Sequence, residues 1–330
     1  MRSPLRHDHC LLSARTRAAA ALCIALISIA ACERSSKSTG DSAVTAAPPA
    51  DTSSIAATNA GWNAEAGSIL LVAGDVPGLG EVIFPDVSDS TFGDSALMDL
   101  APVRGAQVTL FSRRGEVANA TVIGEDTTAE ADSSDDACED WPLVRLRNES
   151  RGPTAAWTIG LVAGHAHSMP LDSMDHLPRA DSIRLATDVV HLAEGLPDDT
   201  ARAFRGLPFY VRTVRRFHPA PGIDALVADL SRRINQEADP REEQLLLVAE
   251  RDSGKANSPW HASFSERASG HEGTVETHDV LAGIAVGTAR RPTLVLAHYV
   301  GDGVAYALLE RNGAGRWERR WVSAASGCTQ

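Results

Sequence analysis

From Phe209 to Ala324 the chain is a succession of short apolar segments closed by turn residues, and this pattern limits what it can fold into more than anything else. Phe209–Phe217, Gln244–Glu250, Trp260–Glu266, Val280–Val286, Thr293–Val300, Val304–Arg311 and Trp317–Ala324 each read as a strand. Gly301-Asp302-Gly303 and Asn312-Gly313-Ala314-Gly315 supply hairpin turns between the last of them. Leu226–Ile234 fits a strand face or a helix stripe equally well. Its neighbour Gln244–Glu250, across Glu237-Ala238-Asp239-Pro240, favours the strand. Earlier in the chain the same signature recurs at Ser68–Ala73, Glu81–Phe84, Leu143–Arg147 and Ala155–Val162. A hairpin is expected where Val108–Ser112 and Val117–Ile123 flank Arg113-Arg114-Gly115-Glu116. Gly74, Gly78 and Gly80 are not a dinucleotide loop, because an extended Val82-Ile83-Phe84-Pro85 follows where a helix is needed.

One helix is expected over about 180–194, with Asp181 as its N-cap. Ile183, Ala186, Val189, Val190 and Ala193 make an apolar stripe, and Gly195 and Pro197 end it. A short second helix is expected from Asp198 or Asp199 to Arg205. No repeat of fixed period is visible. The class read from these elements is α+β, mostly antiparallel sheet.

The N-terminus carries a different signal. Arg2, Arg6, Arg15 and Arg17 precede Ala18–Ala31, an uncharged run of 14 residues. A membrane-spanning helix needs roughly 20 residues, so the run reads as an export signal over 1–31. Ile29-Ala30-Ala31-Cys32 resembles the lipobox of bacterial lipoproteins. That resemblance implies an acylated Cys32 as the first mature residue and attachment to a membrane through the N-terminal lipid. With Glu33 rather than Asp next in line, it implies the outer membrane, on its periplasmic face or the cell surface. Glu33–Ala60 is rich in Ser, Thr, Ala and Pro and poor in large apolar residues, the composition of a tether. The expected organisation is a tether over 32–65 and one β-rich body over 66–330, or else two lobes, 66–178 and 196–330, joined by the helix.

Losing the leader removes four Arg and one Asp and leaves 27 basic and 42 acidic residues, a net charge of −15. Such a balance argues against nucleic acid as a partner. Glu125–Asp140 holds eight acids and no base, which reads as a solvated insertion. Of the five cysteines, Cys10 and Cys23 leave with the signal and Cys32 is taken by lipid. Cys138 and Cys328 remain, and in an oxidising compartment they are expected to pair.

For chemistry the sequence offers one cluster, His165 and His167 followed by Asp172, Asp175 and His176. Two histidines one residue apart on an extended chain face the same side. With Asp172 and His176 they would give a metal its protein ligands and leave a position for water. Met169-Pro170-Leu171 between them reads instead as a loop packing on the core. His271, His278 and Asp279 form a looser group, and the helical zinc-protease spacing is absent. No nucleophile elbow and no phosphate loop is present. Arg212, Arg215, Arg216, Arg232 and Arg233, and a second set of Arg290, Arg291, Arg316, Arg319 and Arg320, read as cross-strand partners for Glu237, Glu242, Glu243 or Glu310, the alternative being a site for an acidic partner. Trp317 and Trp321, four apart, would share one strand face. These features together describe a non-catalytic envelope protein that binds a partner protein or small ligand, or serves a structural role, with no cofactor. The alternative is a metal-dependent hydrolase built on His165 and His167.

Overall fold

A strand with one apolar face needs one cover, and a strand apolar on both faces needs two; both kinds are present here. A computed structural model describes residues 61–94, 96–126, 138–149, 156–197, 202–235, 239–255 and 258–328. The leader, Cys32, the tether up to residue 60 and most of the acidic insertion lie outside them. The strands are β1 (Leu70–Ala73), β2 (Leu79–Ile83), β3 (Gln107–Ser112), β4 (Gly115–Glu125), β5 (Cys138–Glu139), β6 (Leu143–Asn148), β7 (Ile159–Val162), β8 (Ala166–Ser168) and β9 (Asp172–Ser173). The helix α1 (Arg179–Gly195) follows. Then come β10 (Tyr210–Ala220), β11 (Ile223–Ile234), β12 (Arg241–Asp252), β13 (His261–His271), β14 (Thr277–Val286), β15 (Arg291–Val300), β16 (Gly303–Arg311), β17 (Trp317–Val322) and β18 (Gly327–Cys328).

The first strands close into a six-stranded barrel in the order β1-β2-β6-β4-β3-β7. The rest form two five-stranded sheets, β13-β12-β11-β10-β9 and β17-β16-β15-β14-β8, with β5 and β18 as a separate ribbon. The expected class holds at that level: antiparallel sheet with one α-helix, strongly strand-dominated. The barrel itself was not anticipated.

Four cores stack in order. Leu71, Val82, Val108, Leu110, Val122 and Val144 fill the barrel. Alternate residues of β1, β2, β3 and β7, among them Leu70, Val72, Ile83, Phe111 and Leu161, turn outward. They pack on Ala282, Ile284, Val295, Leu308 and Trp321 of the β14–β17 sheet. The other face of that sheet carries Leu294, Leu296, Leu309 and Trp317 and meets Phe217, Val227, Leu246 and Val248 of the second sheet. The outer face of the second sheet is covered by α1 through Leu185, Val189 and Ala193. β11 and β12 are therefore covered on both sides and buried almost without interruption, which is why Leu226–Ile234 showed no clean period of two.

Several expectations need correcting. The helix begins at Arg179 with Pro178 at the N-cap, and Asp181 sits in the first turn instead of capping it. Its buried stripe is Leu185, Val189 and Ala193, while Ile183 is exposed. The second helix is reduced, among the described residues, to a 3-10 turn at Arg202–Phe204. Trp317 and Trp321 do not share a face. β17 pairs Leu309 with Arg319 but Leu308 with Trp321, so Arg320 is an extra residue. That bulge sends Trp321 to the barrel side and leaves Trp317 between the sheets. The expected tether, 32–65, also takes in residues that the structure places against the body. Residues 61–65 pack on the body: the Trp62 ring meets Trp321 edge-on at 4.8 Å, and Glu65 pairs with Arg291 at 3.1 Å. A Cβ on Gly61 would lie 1.4 Å from the carbonyl oxygen of Arg320, so only glycine fits beside the bulge.

Candidate functional site

The histidine loop comes first, because the sequence pointed there. β8, carrying His167, pairs with β14, whereas β9, carrying Asp172, pairs with β10. The loop between them crosses from one sheet to the other, with Met169 and Leu171 sunk in the core that the sheets share. His165 stays half-buried in the turn after β7, its Nδ1 2.8 Å from the carbonyl oxygen of Glu65. His176 is exposed in the 3-10 turn Met174–His176. The proposed ligand set His165, His167, Asp172 and His176 is thus divided between elements. Among the described residues, no group of three or more His, Cys, Asp or Glu side chains is placed to hold a metal ion. The crossing loop, invisible in residue spacing, separates them.

A cleft of about 680 Å³ opens elsewhere, where α1 passes the end of β12 and the loop that follows. Arg184, Asp188 and His191 of α1 line one wall; Arg251, Asp252, Lys255 and Trp260 line the other. A smaller recess of about 140 Å³ shares Arg184, Asp188, Arg251 and Trp260 with it and adds Arg216.

Local physics fixes each group. Asp224 and Arg251 are directly opposed on β11 and β12. Arg251 donates from Nε and Nη2 to one oxygen of Asp224, at 3.1 and 2.9 Å. Asp224, buried among its partners, also lies 3.1 Å from Nδ1 of His218 and 3.5 Å from Nη2 of Arg216. The Arg251 guanidinium lies 4.4 Å from the centre of the Trp260 ring, which packs beside α1. Arg251 is therefore held from two directions. Beyond it, β12 ends in a turn where the Gly254 N–H and Lys255 both donate to Asp252 and hold its carboxyl below the usual range. Among the described residues the rim cations Arg184 and Lys255 pair with exposed neighbours, Asp181 at 2.7 Å and Asp252 at 2.9 Å, pairs worth little in water. The indole N–H of Trp260 is buried and has no hydrogen-bond partner among the described residues.

Groups whose protonation is most disturbed lie away from this cleft. His278 and His298, opposed on β14 and β15, stack with centres 4.5 Å apart and planes 6° from parallel. Burial, reinforced by His298 and Arg319, pushes His278 down to about 3, so the ring is neutral at pH 7. Its Nε2 lies 4.0 Å from Glu266 of β13, which is ion-paired with Arg319 of β17 across the two sheets. Asp229, desolvated beside Arg212, is raised to about 6. Arg113 in the β3–β4 turn pairs with Asp279 and donates to the carbonyl of Val280 at 2.6 Å, strapping barrel to sheet. These arrangements bind layers together.

Of the arginines read as a cross-strand strip, Arg232 does reach Glu243 and Arg233 reaches Glu242. Arg212 and Arg216 turn to Asp229 and Asp224 instead. The cleft itself was not anticipated. Trp260 stood out only as the start of a strand, and nothing in local spacing joins it to Arg184, 76 positions earlier. Comparison with protein-family models, with curated protein sequences and with solved structures finds no match.

Proposed function

We propose that this is a lipid-anchored envelope protein that binds a small, anionic, hydroxyl-rich ligand, of the acidic-sugar type, in the cleft between α1 and the end of β12. The observation that carries the reading is the Trp260 indole N–H, buried in the wall of the cleft without a partner among the described residues. A buried donor left unpaired costs about 1–3 kcal/mol, which a ligand acceptor would recover once a small turn of the ring brings the N–H to the cleft surface. Arg184 and Lys255 stand at the rim, where an anionic group can displace weak exposed pairs. Asp188, with no ion-pair partner among the described residues, supplies an acceptor for hydroxyl groups. The anchored location follows from the lipobox resemblance at Cys32, and the site from the geometry; the two are separable.

Titration of the mature, isotope-labelled protein with glucuronic, galacturonic and N-acetylmuramic acids tests the site. The Trp260 indole resonance is expected to move saturably with at least one of them. Trp260→Phe should weaken binding about tenfold while preserving the fold, and Arg184→Glu with Lys255→Glu should abolish it. A resonance unmoved by all three sugars ends the ligand class, and unchanged affinity in Trp260→Phe ends the site. For the anchor, mass spectrometry of the N-terminus should find acyl chains on Cys32 that Cys32→Ala removes. An unmodified mature N-terminus overturns it.

A further inference from the structure

We infer that Cys138 and Cys328 form a disulfide in the exported protein, a staple across the ribbon that joins the segment leading into β6 to the C-terminal β18. β5 and β18 pair antiparallel with Cys138 opposite Cys328 and Glu139 opposite Gly327. Directly opposed residues of an antiparallel pair have Cα atoms about 4.5–5.5 Å apart, inside the roughly 4.4–6.8 Å window that a disulfide requires. The inference stands on backbone register, since the side chains of both cysteines lie outside the described residues.

The register is held from both sides. Upstream of Cys328, Ser326 exchanges backbone hydrogen bonds with Val304, at 2.8 and 2.9 Å. The Ala325 N–H donates to Asp89 at 3.1 Å. Gly327, at φ +147, passes so close to the β15–β16 turn that a Cβ would lie 2.7 Å from the Cα of Gly303. On the other side, Trp141 follows Cys138 by three residues and is buried in the seam between barrel and sheet, edge-on to Phe92 at 4.5 Å. Each cysteine therefore lies within three residues of a fixed anchor, and neither can drift far from the other.

The chemistry balances without the cleft. Two thiols lose two protons and two electrons to make one S–S bond, and the disulfide of a thiol–disulfide oxidoreductase accepts them and becomes a dithiol. Once Cys10 and Cys23 leave with the signal and Cys32 carries lipid, no other thiol competes. The inference uses the envelope location only for its oxidant, so geometry and location are tested apart. Protein beginning at Glu33, without the leader and Cys32, is made reduced, folded, exposed to oxidised glutathione, then denatured and alkylated. A linked peptide pair containing Cys138 and Cys328 is expected, with a melting temperature roughly 5–10 °C above the reduced form or the Cys138→Ser/Cys328→Ser variant. Two alkylated thiols after that oxidation overturn the geometry. Full-length protein taken from the envelope under acid quench should carry the same bridge, and free thiols there overturn it for the cell while leaving ligand binding untouched.

Discussion

Glu243 has no exposed surface, and a carboxylate in that position survives only if its charge is met at once. Arg232 does so with two hydrogen bonds, at 3.0 and 3.1 Å, and Arg267 with a third at 3.0 Å. Arg232 also lies 4.6 Å over the ring of Phe209. Replacing the acid leaves two guanidinium groups beside an empty partner, so Glu243→Ala should lower stability by about 3–5 kcal/mol in urea unfolding. A loss under about 1 kcal/mol would show that the network is replaceable. His278 sets a pH dependence of definite sign. Its folded value of about 3 lies below the unfolded value of about 6.5. The unfolded chain takes the proton first, so the contribution is complete above 6.5 and is lost as pH falls toward 3, at about 1.4 kcal/mol per pH unit. Asp229, raised to about 6, acts in the opposite sense as pH falls below 6. The wild type must therefore be compared with His278→Phe. Between pH 7 and pH 5 it should lose about 2 kcal/mol more than the variant, and equal losses would remove His278 from the account.

At the scale of elements, the bulge in β17 decides more than its one residue suggests. By inserting Arg320 it gives Trp321 to the seam, where its indole donates to Pro85 at 3.2 Å, while Trp317 donates to Glu250 at 2.6 Å between the sheets. Deleting Arg320 should close the ladder with Arg319 and Trp321 still opposite Leu309 and Leu308, so Trp321 keeps its place in the seam and near-ultraviolet dichroism is retained. Loss of that tryptophan signal in the deletion variant would mean that the strand slips by one residue instead of closing the bulge. Trp62→Ala should cost roughly 2 kcal/mol through the lost ring contact and burial; an unchanged melting temperature would return residues 61–65 to the tether. The bulge also shows where sequence reading stops. Most strands were legible because their apolar residues alternate or run unbroken, and the helix because Gly195 and Pro197 end it. Faces were not legible, since one inserted residue reverses them without changing composition. Barrel closure was hidden too: it joins Leu70 to Leu161, residues that share no local pattern. The cleft was hidden for the same reason, and His165 with its companions misled because a crossing loop undid their spacing.

Taken whole, the molecule shares each core between neighbours: the β14–β17 sheet serves the barrel on one face and the second sheet on the other. Neither half can bury its apolar surface alone, so heat unfolding should be a single transition. Far-ultraviolet dichroism and tryptophan fluorescence should give coincident midpoints, and a separate early step would indicate an autonomous barrel. The docked segment at Gly61 and Trp62 has a consequence for attitude in space. The chain joins the body at the seam between barrel and sheet, beside the bulge of β17, while the cleft of Arg184 and Trp260 opens beyond the second sheet, at the other end of the stack. Whatever enters the cleft therefore approaches from the side opposite the point where the chain enters the body, and traffic at one end leaves the other unobstructed.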